Sequence, residues 1–162
     1  MPKYSEKGET REMKTVMDIA EWFLSKDSMT HKQLQKLCYY AQAWYCALYD
    51  GTPLFDEKIE AWVHGPVVAS LYQAYASFGW NSIEQKPCCK TKFTSQEQEI
   101  LDAVYSTYGS FSGDQLEALT HSEQPWIEAR GTLKPWETSK NEIPIASMRK
   151  YYKNKYEQAQ GE

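Results

Sequence analysis

Histidine is scarce and cysteine carries no pattern. The chain has three histidines, His31, His64 and His121, and four cysteines, none of them at the C-x-x-C spacing of zinc or thioredoxin-type sites. Cys88 and Cys89 are adjacent and cannot easily present both thiols to one tetrahedral ion, while Cys38 and Cys46 fall within one helix pattern, too far apart to bridge. The expectation is no metal and reduced thiols in a reducing compartment. No apolar run is long enough to span a bilayer, and the N-terminal stretch is polar and charged, unlike a signal peptide. A soluble, cytoplasmic protein with no membrane partner is expected. An excess of basic residues is also missing: the net charge is −4, with Lys and Arg scattered among acids, so nucleic acid lacks its usual electrostatic footprint. Nucleophile elbow, phosphate loop, dinucleotide fingerprint and H-E-x-x-H are all absent. The expectation is therefore no enzyme, with no catalytic residues and no cofactor.

Aromatic residues, in contrast, are abundant. Six Trp and twelve Tyr in 162 residues supply area for a core and for an interface alike. The organising stretch is Met29 to Gly51. Thr30 with Gln33 writes a capping box, Met29 faces Leu34 as a hydrophobic staple, and Asp50-Gly51 with Pro53 writes the stop. Leu34, Leu37, Cys38, Ala41, Trp44, Tyr45 and Leu48 recur at helical spacing, and Tyr40, Ala43, Cys46 and Ala47 complete the circumference. A helix apolar all round is wrapped by neighbours, so this one is expected at the centre.

Around it the pattern predicts helices from Thr15 to about Lys26, from Pro66 to Gly79, after Thr94, after Ser112, at Pro125-Trp126 and after Pro144. Alternation over Ile59–Val63 predicts a short strand, with the segment around Ile83 to Lys86 as its candidate partner. The expected fold is mainly α: a compact single-domain bundle of about six or seven helices around a central helix, with a small β element. Residues 13–157 form the domain, 1–12 a disordered or loosely held N-terminal tail and 158–162 a C-terminal tail.

The turn Trp62-Val63-His64-Gly65-Pro66 invites two readings. In the structural one, Gly65 permits close backbone approach and Pro66 fixes a helix start. In the functional one, that helix start has no capping side chain, its N–H groups stay free, and the turn with nearby Trp80 is a docking notch for a partner. Trp62, His64, Gly65, Pro66 and Trp80 are thus the candidate partner-binding residues. Base and aromatic alternate over Arg149–Lys155, which fits RNA contact or, more simply, a solvated helix face.

Three stretches carry a resemblance. L-Q-K-L-C-Y-Y-A-Q-A-W (Leu34–Trp44), I-E-A-W-V-H-G-P-V-V (Ile59–Val68) and L-T-H-S-E-Q-P-W-I-E-A-R (Leu119–Arg130) resemble the signatures of the phage-associated SocA-like proteins, whose domain is also called the Panacea antitoxin domain. The family-like positions are Lys36, Tyr40, Trp44, Thr120, His121, Pro125, Trp126 and Arg130. The resemblance implies a mostly α domain, found in prophages and beside toxin genes, that binds and neutralises a small toxin protein from an adjacent gene. It also implies a narrower role, that of a proteolytic adaptor delivering the toxin to the ClpXP protease. The rival readings are a prophage-encoded nucleic-acid-binding regulator, with the first two helices as a helix-turn-helix, and a hydrolase using His64 or His121.

Overall fold

A computed structural model of the chain describes residues 11–87 and 89–161; the expected tail lies outside them up to Thr10, as does Cys88. Seven helices and two small two-stranded sheets make up the described chain. In chain order they are α1 (Val16–Leu24), β1 (Met29–Thr30), α2 (His31–Leu48), β2 (Glu60–Trp62), β3 (Gly65–Val67), α3 (Ala69–Tyr75), β4 (Ser82–Ile83), α4 (Ser95–Tyr108), α5 (Gly113–His121), α6 (Gln124–Arg130) and α7 (Ile145–Gln160). A mainly α domain with a small β element is what the patterning predicts.

Helix α2 is the axis. Of its residues only Lys32, Gln33 and Trp44 escape full burial, because α1, α4, α5, α7 and the β2–β3 hairpin all pack on it. Its capping box forms as written: the Thr30 hydroxyl accepts from the Gln33 N–H, and the Gln33 side chain accepts from the Thr30 N–H. The same device opens α4 from Thr94 and α5 from Ser112. Such boxes need only residues three apart, so they form irrespective of tertiary context.

Two glutamines on α2 substitute for a neighbouring strand. Gln42 donates to Phe55 O at 2.7 Å and accepts from Leu54 N at 2.7 Å. Gln35 accepts from Val68 N at 3.0 Å and donates to Val68 O at 3.3 Å. Each side-chain amide satisfies backbone groups of a loop buried against the helix, where an unpaired group would cost a kilocalorie or more. Gln35 thereby pins the junction between β3 and α3.

Three expectations are corrected. First, Gly65-Pro66 does not open a helix. Gly65 to Val67 is the return strand of a hairpin, in register Glu60 with Val67, Ala61 with Pro66 and Trp62 with Gly65, and α3 starts only at Ala69. The missing N–H of Pro66 is harmless there because Ala61, opposite it, directs its own N–H away, to Asn141 O at 2.8 Å. Second, the strand at Ile59 pairs with this local partner and with Glu142, while Ile83 pairs with Met29. A two-residue reversal closes at less entropic cost than a long loop. Third, Arg11 is not loose: its guanidinium reaches Glu97 at 2.7 Å and the carbonyls of Pro53 and Leu54.

Candidate functional site

An open cleft of about 970 Å³ lies over the N-terminal half of α2. Its walls come from α2 (His31, Lys32, Gln35, Lys36), the hairpin (Trp62, Val63, His64, Val67), α3 and the turn after it (Tyr72, Ala76, Gly79, Trp80), the start of α5 (Ser112, Gly113, Asp114) and the 138–140 segment. Trp62, His64 and Trp80 of the candidate partner-binding residues thus do converge. Gly65 and Pro66 are buried behind the wall and shape the turn without facing the cleft. The free helix N-terminus expected at that turn does not exist, since the turn is a β-hairpin.

Directly behind the cleft, at Lys36, the three sequence motifs meet. Gly65 has φ +114°, a conformation L side chains rarely adopt, and a Cβ placed on it would fall 2.6 Å from Lys36 Cε, 3.1 Å from Lys36 Nζ and 3.1 Å from Thr120 Oγ1. One residue from each motif therefore shares a single contact point. The third motif braces the hairpin from outside. Trp126 donates its indole N–H to Trp62 O at 2.9 Å, His121 stacks on Trp126 with ring centroids 3.9 Å apart, and Arg130 reaches Ala61 O at 3.4 Å. Pro125 sits in the first turn of α6, where no N–H is needed.

Lys36 is the unusual group. It is 2% exposed, and its ammonium has one long hydrogen bond, to Pro66 O at 3.4 Å, with no carboxylate in ion-pair range among the described residues. Burial strips the ammonium of water and pulls its pKa down to about 7, against a smaller upward pull from Glu117 and with a downward push from Lys32. Lys32, one turn earlier, is the opposite case. It holds Glu117 at 2.7 Å and Asp114 at 2.9 Å, and its Nζ lies 5.4 Å from the Trp80 ring centre. Desolvation opposes its charge, but the two carboxylates prevail and raise its pKa.

Three histidines surround this lysine pair. His64, 66% exposed at its side chain, places Nδ1 3.3 Å from Glu117 Oε2. His31 is buried against Tyr72 and Tyr75 and bonded to Gln35; desolvation, then the charge of Lys36, lowers its pKa. His121 is lowered chiefly by desolvation, and its Nε2 is buried without a partner among the described residues. None stands beside a reactive thiol: Cys38 and Cys46 are buried, and burial pushes the Cys46 thiol up to about 12 and Cys38 higher. Among the described residues no group of three or more His, Cys, Asp or Glu could hold a metal ion, and no helix is long and apolar enough to cross a membrane.

Tyr40 and Trp44 belong to a different structure, a buried polar cluster that sequence reasoning missed. Glu123, 2% exposed, accepts from Tyr40 at 2.7 Å, Tyr152 at 2.9 Å and Lys155 at 3.2 Å. Tyr40 stacks on Tyr108 at 4.0 Å, and Trp44 donates to the Tyr108 hydroxyl at 2.9 Å. Trp44 is half-buried, not fully enclosed as its apolar surroundings in sequence suggest. The only signal for Glu123 was its place inside the third motif.

Comparison with known proteins gives one finding. The family model described as "Antitoxin SocA-like, Panacea domain" matches residues 34–127. No curated protein and no solved structure matches the chain significantly. The match spans more than half of the sequence and takes in α2, the hairpin and α5, the elements that meet at Gly65; the chain belongs to the SocA-like, Panacea-domain antitoxin family.

Proposed function

We propose that this protein neutralises a small toxin by direct binding, and that the cleft over α2 is where the toxin docks. The observation that carries the reading is the convergence of one residue from each motif, Lys36, Gly65 and Thr120, directly behind that cleft, with Lys36 in its wall, in a chain of an antitoxin family. The rim supports it. Trp80 is 80% exposed and Tyr72 43%, beside the half-buried Trp62. Exposed aromatics round a concave site are the usual anchors of protein interfaces, each contributing about 2 kcal/mol or more when buried by a partner. The protein acts as a binding module in the cytoplasm, without chemistry of its own.

The test is growth. Expression of the gene adjacent to this one should arrest cells, and co-expression of this protein should restore them. A neighbouring gene that is harmless alone ends the neutralisation reading. The adaptor form is narrower: disappearance of the toxin should then require both this protein and ClpXP, and a toxin that is neutralised yet stays intact excludes it. The nucleic-acid reading draws no support from α2, which would be the recognition helix but is enclosed by other elements along almost its whole length.

A further inference from the structure

We infer that the cleft receives an acidic side chain of the partner protein, its carboxylate seated at Lys36 and the residue beside it packed on the aromatic wall of Trp62 and Tyr72. The inference rests on the cleft being the docking face and adds the chemistry of what docks. A lysine that is 2% exposed with a single 3.4 Å hydrogen bond has no charge partner among the described residues, and it stands in the wall of an open cavity. Buried charges are ordinarily paired, because removing an ammonium from water costs several kcal/mol. Among the described residues no carboxylate pairs with it: the nearby ones, Asp114 and Glu117, are both engaged by Lys32.

Charge and shape select the occupant. One ammonium matches one carboxylate, whereas a phosphodiester chain would have to pass the Asp114 and Glu117 carboxylates in a protein of net charge −4. The Trp62 and Tyr72 rings lie 5.0 Å apart, and Trp80, the most exposed large hydrophobic among the described residues, lines the same cleft. That surface suits the apolar neighbour of an acidic residue in a polypeptide and exceeds what a small carboxylic acid would cover.

Binding is then coupled to protons. The groups facing Lys36 are His31 and Lys32 on its own helix, His64 on the hairpin, Asp114, Glu117 and His121 on α5, and Lys140 on the segment opposite. Of these Glu117 favours the charged Lys36, by less than burial opposes it, and both acids are paired with Lys32. Without a ligand Lys36 shares its proton with solvent near pH 7; a bound carboxylate holds that proton and raises the pKa. Affinity should therefore fall as pH rises above about 7, approaching tenfold per unit while the bound lysine remains protonated.

The full-length protein is titrated with three blocked dipeptides: acetyl-Trp-Glu-amide, acetyl-Trp-Gln-amide, and acetyl-Trp-Gln with a free C-terminal carboxylate. The readout is the ε-methylene resonance of Lys36 in isotope-labelled protein. The Glu peptide should move that resonance and bind about tenfold or more tightly than the Gln amide near pH 7, as a charge-assisted bond of ordinary strength requires. The preference should shrink at alkaline pH and vanish in Lys36→Met. Equal affinities of the Glu and Gln amides for the wild type overturn the inference, and this arm needs no variant to fold. A preference that survives in folded Lys36→Met overturns it as well. Tighter binding of the free-carboxylate peptide would make a chain terminus the occupant and overturn the side-chain assignment. Toxin neutralised by a protein that ignores the Glu–Gln difference leaves the antitoxin reading standing and this one fallen. A clear Glu preference beside a harmless neighbouring gene does the reverse.

Discussion

Tyr40 donates its hydroxyl to the Glu123 carboxylate across 2.7 Å, joining the central helix to the junction between α5 and α6 in the protein interior. Burial, then the carboxylate itself, pushes the phenol's pKa up, so it remains a donor. Tyr152 and Lys155 complete the shell, which makes Glu123 the node that ties α7 to both. Tyr40→Phe should cost about 1.5–3 kcal/mol, the range for a hydrogen bond to a charged group. Glu123→Ala should cost more, about 3 kcal/mol, since it takes the acceptor from the buried Tyr40 hydroxyl and leaves Tyr152 with Tyr39. Denaturant unfolding of both variants and of the double variant measures the coupling; strictly additive costs would mean the two residues act independently.

Lys36 makes stability depend on pH in a direction opposite to that of an ion-paired lysine such as Lys32. Its pKa falls to about 7 on folding, so between pH 7 and the ordinary lysine range the unfolded chain holds a proton the folded chain has released. Stability from this group therefore rises with pH through that window, and the full penalty is present below it. Lys36→Met should be more stable than wild type by on the order of 2 kcal/mol near pH 6, as buried charges replaced by apolar side chains often are, and the gap should close towards about pH 10. Melts of both proteins across the range decide it; a gap independent of pH would mean that Lys36 keeps its proton in the fold.

Gly65→Ala combines two penalties, a φ of +114° and a new Cβ 2.6 Å from Lys36 Cε. The expected loss is about 2 kcal/mol or more. Combining it with Lys36→Met should recover part of that loss, because a methionine is one atom shorter and more adaptable, while the backbone term persists. Full recovery would assign the whole cost to the side-chain clash.

Trp80 and Trp44 should separate binding from folding. Trp80 is 80% exposed, so Trp80→Ala should leave the melting temperature within error of wild type yet weaken toxin binding about tenfold or more, as loss of an interface anchor does. His64→Ala, at a rim position, should weaken binding with an equally intact fold. Trp44 packs on Tyr152 at 5.2 Å and bonds Tyr108 from a half-buried position, so Trp44→Ala should cost about 2–3 kcal/mol of stability, below the range for a fully buried aromatic. Toxin titrations of Trp80→Ala and His64→Ala that match wild type would move the docking face elsewhere, to the Tyr-rich α7 first.

What the sequence determined by itself is local. The starts of α2, α4 and α5 are legible because a capping box needs only residues three apart. The central place of α2 is legible because a helix apolar on all sides has nowhere else to go. The hairpin was not, because Gly65-Pro66 suits a helix start as well as a return strand. The choice was made by residues far along the chain: Asn141 O takes the Ala61 N–H and Arg130 donates to Ala61 O, so neither group of Ala61 needs Pro66. The cleft was half legible: Trp62, His64 and Trp80, singled out in the sequence, line it, but Lys36 was one family-like position among several and Glu117 was not singled out at all. A charged residue on a helix pattern reads as solvated, and only the elements folded over it fix how much water it keeps. Tertiary structure decided that Lys36 keeps almost none, because the Gly65 backbone, which carries no side chain to hold it off, packs against the end of the lysine side chain.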